Sequence, residues 1–269
     1  MLSASSVAAQ TIRTYDYVRP LKGERKLTAK VEFAAGTLRL GPATGKQLYQ
    51  LALRYDAERF EPVGSYDPGA GAVRLGVNGI GKGGIRVDKK RALPQTADVG
   101  LSPAVDLALE VSLGAAEGLL QLGGLRLSEL VVESGASRTE IDFAKPNPGA
   151  CSAARVSAGA GELVISNMGN SGCSEWEVDG GVTKTTLELD GAWPAGARLD
   201  LSVAVGGLTL VVPKSLGLQV VLSGFLADFD GPGFAKRGKT YTSAGYERAA
   251  RKLSVQINSA IGGVKVEWR

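Results

Sequence analysis

One pattern recurs along this chain and constrains its fold more than any other. Alternating apolar residues run into a small-residue break rich in glycine, and the alternation then resumes. It is present in "VEFAAGTLRL" (31–40), "LEVSLGAAEGLLQL" (109–122), "LVVESGASRTEIDF" (130–143) and "RVSAGAGELVISNM" (155–168). It returns in "EVDGGVTKTTLEL" (177–189), "LSVAVGGLTLVVP" (201–213) and "VQINSAIGGVKVEW" (255–268). Alternation with a period of two marks a half-buried strand. A glycine inside a strand marks a bend, a bulge or a close backbone approach. Gly114, Gly135, Gly159, Gly180 and Gly206 sit at successive breaks, separated by 21, 24, 21 and 26 residues. Units of that length that cannot bury their apolar face alone stack on one another.

The expected fold is therefore all-β: a single-stranded β-solenoid, a right-handed β-helix with coils of roughly 20–26 residues. The handedness comes from the general rule for parallel crossovers and not from these residues. The competing arrangement is an antiparallel sandwich of short strands joined by glycine turns. The longer, self-similar unit favours the solenoid. So does an aromatic content of only 6%, since a narrow coil leaves little room for rings. The last thirteen residues, "INSAIGGVKVEWR", read as the final coil. Gly262 and Gly263 form its corner, Val264 and Val266 point inward, and Trp268 helps cover the end of the stack.

Helix signal is scarce. "SAGYERAARKL" (243–253) reads as a helical turn or loop entering the last strand, while residues 68–84 and 229–243 read as glycine-rich connections. Residues 1–10 are expected to be disordered or the remnant of an export signal, because "SVAAQ" has the small-x-small look of a cleavage site. An ordinary frayed terminus is the alternative. Residues 11–92 form a less regular N-terminal β region, and 93–269 form the regular solenoid continuous with it. "RALPQTADVGLSP" (91–103) marks the boundary. No run of eighteen apolar residues is present to span a bilayer.

The chain has no histidine. That removes Ser-His-Asp and Cys-His catalysis, His-ligated zinc and the commonest general base. "GNSGC" (169–173) has the look of a protease nucleophile loop, but Ser171 has no base to activate it and reads as a polar turn. "GIGKGG" (79–84) fits G-x-G-x-x-G, yet the following "IRVDKKR" reads as strand where a helix must cradle phosphate. "GPATGKQ" (41–47) is one residue short of a P-loop and has Gln47 where Ser or Thr belongs. No cofactor is expected.

Cys151 and Cys173 lie 22 residues apart, close to one coil. Strands in register sit about 4.8 Å apart, which a disulfide accepts. A Cys151–Cys173 disulfide is expected, with two buried or loop thiols as the alternative. A disulfide supports an exported location.

Charge is segregated: residues 1–95 carry +8, 96–233 carry −10 and 234–269 carry +6. Mutual neutralisation of solvated faces is the plain reading, and a polarised rod touching an anionic partner is the sharper one. The basic run Lys89, Lys90 and Arg91 is the candidate contact with anionic polymer or lipid headgroups. It lacks the aromatic interleaving of a nucleic-acid site. Two carboxylate pairs, Glu175 with Glu177 and Asp228 with Asp230, define the enzymatic alternative. With Arg155 or Lys184 as basic partner they would serve a carbohydrate-active solenoid enzyme. Asp228 and Asp230 beside glycine also define a candidate calcium pair.

The stretches "LPQTADVGLSPAVDLALEVSLGAAEGLLQLGGLRLSELVVESGAS" (93–137), "LVVP" (210–213) and "YTSAGYERAARKLSVQINSAIGGVKV" (241–266) resemble the toast-rack or LiaF-like family of bacterial envelope proteins. "KLTAKVEFAAGTLRLGP" (26–42) is similar to the first repeat of its N-terminal region. The resemblance covers roughly residues 25 to 269 and implies a toast-rack β-solenoid on the outer side of the cytoplasmic membrane. Some relatives regulate envelope-stress signalling, and relatives often carry transmembrane helices before the solenoid. No catalytic residues carry over. The resulting expectation is a non-enzymatic exported envelope protein, periplasmic or extracytoplasmic. It would act as a rigid interaction scaffold in stress sensing or adhesion, with an envelope protein or anionic polymer as partner. Open solenoid ends also offer edges for pairing with another copy.

Overall fold

A computed structural model describes residues 11–80 and 95–269, except the side chains of 224–228 and 259–261. The strands are β1 (Ile12–Pro20), β2 (Lys26–Pro42), β3 (Gln47–Asp56), β4 (Phe60–Asp67), β5 (Ala72–Gly79), β6 (Thr96–Leu101), β7 (Asp106–Gln121) and β8 (Arg126–Asp142). They continue as β9 (Cys151–Ser166), β10 (Cys173–Glu188), β11 (Arg198–Val212), β12 (Leu216–Asp230), β13 (Phe234–Arg237), β14 (Thr240–Ser243) and β15 (Arg251–Trp268). One sheet runs β1-β3-β6-β2-β7-β8-β9-β10-β11-β15-β12-β14-β13, with β5 also on β2 and β4 on β5. Short 3-10 turns occupy Met168–Ser171 and Tyr246–Arg248, the latter inside the stretch expected to turn before the last strand.

Parallel, in-register stacking decides for the solenoid over the sandwich. Leu109 pairs with Leu130, Leu130 with Ala154, Ala154 with Trp176 and Trp176 with Leu199, so successive coils are 21, 24, 22 and 23 residues long. Each long strand has two arms. On one edge of β2 the first arm, Thr28–Phe33, pairs with β5, while the second, Thr37–Pro42, pairs with β6. One apolar core takes residues from both arms of every coil.

The alternation slips by one residue between the arms. In β7 the inward residues are Leu107, Leu109, Val111 and Leu113, then Ala116, Gly118 and Leu120. In β10 they are Trp176, Val178 and Gly180, then Thr183, Thr185 and Leu187. A step of three replaces a step of two, so the chain turns a corner while both arms keep their apolar side inward. Gly161 and Gly206 sit at this corner with φ of +125° and +142°. A Cβ there would lie 1.9 Å from the Ser137 carbonyl oxygen and 1.8 Å from that of Thr183. Only glycine takes that conformation without strain. Where the corner residue is Ser137 or Thr183, its buried hydroxyl hydrogen-bonds to Thr139 at 3.0 Å or Thr185 at 3.1 Å. The glycines picked out by spacing therefore fall into two columns. Gly114, Gly135 and Gly159 stack with Gly181, rather than Gly180, just outside the corner, and Gly206 belongs to the corner itself.

The readings of the tail and of the connecting stretches are corrected. The tail is not the last coil: β15 lies between β11 and β12, parallel to both. The chain lays β12 one slot beyond β11 and returns through the β13–β14 hairpin to fill the gap. Val264 and Val266 are buried as expected, and the Trp268 ring packs on Phe234 of that hairpin at 5.5 Å. The supposed connection at 229–243 thus holds two strands. Likewise the supposed connection at 68–84 contains β5, whose Val73, Leu75 and Val77 are core residues, and the boundary stretch contains β6, held between β2 and β3.

Rings gather at the ends of the stack. Tyr15, Tyr17, Tyr49 and Tyr66 form a chain with centroids 5.2–6.3 Å apart, and Arg19 lies 4.3 Å from the Tyr66 centroid. Phe229, Phe234, Tyr241 and Trp268 cluster at the other end. These clusters, with the antiparallel strands that carry them, act as the capping units that a solenoid needs. Trp176 and Trp193 are fully buried beside the returning loops, contrary to the expectation of a ring-poor interior. Small Ala154 in the coil beneath Trp176 makes the room.

Candidate functional site

Parallel register converts single outward positions into rows that run along the stack. On the first arm one row reads Lys30, Glu110, Val131, Arg155, Glu177, Asp200 and Gln256. The row before it holds Glu129, Ala153, Glu175 and Arg198. Arg155 bridges three coils, its guanidinium 3.3 Å from Glu129 and 3.4 Å from Glu177. Arg155, Glu175, Trp176, Glu177, Arg198 and Asp200 help line a shallow cleft of about 200 Å³. On the second arm Arg138 sits 2.8 Å from Glu140 and 3.8 Å from Glu162, and Lys184 is 3.6 Å from Glu162. Hydrogen bonding to Glu140 and the charges of Glu140 and Glu162 push the Arg138 guanidinium above its ordinary range. The ion-paired side chains are all at least a third exposed, so water screens each pair and none contributes much to stability. The ladders fix the charge pattern of the surface more than its stability.

Between the arms the outward residues are small. Gly135 lies against the carbonyl of Gly114, Gly159 against that of Gly135, and Gly181 against that of Gly159. Ser157, Gly159, Asp179, Gly181, Ser202 and Asn258 help line an open depression of about 480 Å³ along this strip. Val182 and Val205, 62% and 42% exposed, stand beside it. Sequence reasoning singled out the glycines as bends. It missed that they and the adjoining Ala136, Ala160, Val182 and Val205 form one outward strip, because only the register reveals that they align.

The two expected carboxylate pairs do not converge. Glu175 and Glu177 lie on the first arm of β10 near Arg155. Asp230 lies at the end of the second arm of β12, paired with Lys265 and three strands away in the stack. Lys184 is on the second arm, held by Glu162. The side chain of Asp228 lies outside the described residues, as do Lys89, Lys90 and Arg91, residues 1–10 and most of "GIGKGG". Among the described residues no group of three or more Cys, Asp and Glu is placed to hold a metal ion.

Cys151 and Cys173 form a disulfide between adjacent coils, with Cα atoms 4.2 Å apart. Ser171 is fully buried in the turn before it. Its hydroxyl accepts hydrogen bonds from the Cys173 N–H at 3.2 Å and the Trp176 ring N–H at 3.3 Å. Ser171 is thus a structural pin. Stretch 41–47 is the turn between β2 and β3, where the Lys46 carbonyl accepts the Leu21 N–H. Among the described residues no helix is long and apolar enough to cross a membrane.

One known structure shares this architecture, and two more align along most of the chain. A candidate cell adhesion protein from Clostridium sporogenes aligns over 96% of this chain and 100% of its own, at 16% identity and a TM-score of 0.50. A candidate adhesin from Bacteroides fragilis aligns over 96% and 98% at 13% identity and a TM-score of 0.44. One from Parabacteroides distasonis aligns over 96% and 97% at 10% identity and a TM-score of 0.35. No curated protein matches the chain. The family described as the N-terminal domain of toast_rack, DUF2154, matches residues 5–166. That span is more than half of the chain and runs through the first three regular coils to the end of β9, so this protein belongs to the toast-rack family.

Proposed function

We propose that this protein is a non-enzymatic, exported component of the bacterial envelope. It presents the outer face of its stack to a partner at the cell surface, in adhesion rather than catalysis. The observation that carries this reading is the set of outward rows held in register on parallel strands, an extended and rigid binding surface of the kind solenoids supply. Family membership supports it, and the Cys151–Cys173 disulfide supports an oxidising compartment. The three-strand separation of Glu175 and Glu177 from Asp230 supports a binding role over the carbohydrate-active alternative. The basic run Lys89–Arg91 is proposed as a supplementary contact with anionic envelope polymer.

The test is retention of the purified chain on isolated bacterial envelopes, compared with a Ser157→Arg, Ser202→Arg variant. Both serines are exposed beside the small-residue strip, so the change blocks the face and spares the core. Binding by the parent at least tenfold tighter than by the variant is expected. A triple alanine variant of Lys89, Lys90 and Arg91 should lose only the salt-sensitive part of binding. Equal retention of parent and face variant, or hydrolysis of an envelope glycan lost in Glu175→Gln, would overturn the proposal.

A further inference from the structure

Among the described residues β1 has one hydrogen-bonded neighbour, β3. The Ala57 N–H donates to the Thr11 carbonyl at 2.9 Å. Antiparallel ladders alternate, so this contact fixes which residues face β3. The odd-numbered residues from Arg13 to Arg19 direct their backbone groups to β3. Ile12, Thr14, Asp16 and Val18 direct theirs away from it. Pro20, which has no N–H, ends the strand.

The two ends of the stack treat their edges differently. At the far end β13 has only four residues, its Lys236 and Arg237 are exposed, and Pro232 precedes it. Short length, cations and proline are the means by which proteins blunt an edge. The nine residues of β1 carry three charges, Arg13, Asp16 and Arg19, and of these only Asp16 is among the four whose backbone groups point away from β3. The same row contains Val18, 54% exposed, one of few large apolar side chains so exposed among the described residues.

We propose that two copies of this chain pair antiparallel along their β1 edges, about a two-fold axis through Tyr15. The ladder allows only registers that set outward residues opposite outward residues. One of these centres on Tyr15. It places Ile12 opposite Val18, Thr14 opposite Asp16, and Arg13 opposite Tyr17 of the second copy. All four outward residues are then paired, Val18 is covered by an apolar neighbour, the Asp16 carboxylate meets a hydroxyl, and Arg13 meets a ring. Sliding two residues one way sets Asp16 against Asp16 and Arg13 against Arg19. Sliding the other way leaves Val18 outside the paired segment. Because the contact is isologous it closes as a dimer and does not propagate. The proposal does not depend on what the outer face of the stack binds.

Sedimentation of the full chain over a concentration series tests this. The parent is expected to show a monomer–dimer equilibrium. Thr14→Pro removes one outward N–H and no hydrogen bond to β3, and Val18→Lys puts a cation where Ile12 must pack. Each should weaken the dimer at least tenfold while leaving the circular dichroism and melting temperature close to the parent's. Tyr15→Cys provides a second readout that does not require those variants to fold. The two-fold axis brings the residue 15 Cα atoms to about 4.5 Å, the spacing of a non-hydrogen-bonded pair, which a disulfide spans. An oxidised dimer linked through residue 15 is expected. A parent that sediments only as monomer, or a Tyr15→Cys chain that yields no such dimer, overturns the proposal.

Discussion

At Gly206 the backbone angle and the neighbouring coil both exclude a side chain. The residue has φ of +142°, and a Cβ would meet the Thr183 carbonyl oxygen. Gly206→Ala is expected to cost about 1–3 kcal/mol from the backbone alone, with further loss from the collision. Gly207 has an ordinary φ and open space where a methyl group would sit, so Gly207→Ala should change stability by under about 0.5 kcal/mol. Denaturant unfolding of the two variants separates corner geometry from a general intolerance of larger residues. The disulfide is equally local. Replacing both Cys151 and Cys173 by serine should lower stability by about 3 kcal/mol in the chain-entropy model, and equal unfolding midpoints with the parent would contradict that. Both features were partly legible in the sequence. Cysteine spacing matched one coil. Glycine spacing located the corners but chose Gly180 over Gly181, since two consecutive glycines carry no sign of which one faces outward.

Within the coils, stability belongs to rows more than to single strands. Leu109, Leu130, Ala154, Trp176 and Leu199 stack one above another, and the small residue sits beside the largest. Ala154→Leu should therefore overpack the row at a cost of about 1–3 kcal/mol. Combined with Trp176→Leu, its effect should depart from the sum of the single changes by about 0.5–3 kcal/mol. Additive unfolding energies would mean that the two side chains do not share one space. Alternation identified these strands readily, because it depends only on one arm having one wet and one dry side. The order of the last strands was not legible. "VQINSAIGGVKVEW" suits a slot beside β11 with β12 beyond it as well as a slot at the end of the stack. What selects the inner slot is the β13–β14 hairpin, whose residues read as a glycine-rich connection. The phase slip was hidden for a similar reason: a step of three amid glycine and alanine leaves no apolar mark.

Across the whole molecule, charge follows the stack. The described residues 11–80, with a net charge of +4, and the basic β13–β14 hairpin lie at opposite ends, with acidic coils between them. Segregation was visible in the sequence, but its meaning required the strand order. A dimer through β1 brings two basic ends together, so its affinity should rise with added salt as their repulsion is screened. A dimer that weakens with salt would point to a different interface. The outward rows, the small-residue strip and the proposed binding face all follow from one arrangement, the in-register parallel stack with β15 between β11 and β12. Cysteine pairs at exposed outward positions test it most directly. Ser202 pairs with Asn258, and Asn258 with Ser223, so Ser202 and Ser223 are two strands apart. Peptide mapping after mild oxidation should find a disulfide in Ser202→Cys, Asn258→Cys and none in Ser202→Cys, Ser223→Cys, whose Cα atoms lie about 9–10 Å apart at two strand spacings. A disulfide in the second pair and none in the first would place β12 against β11 and contradict the stack.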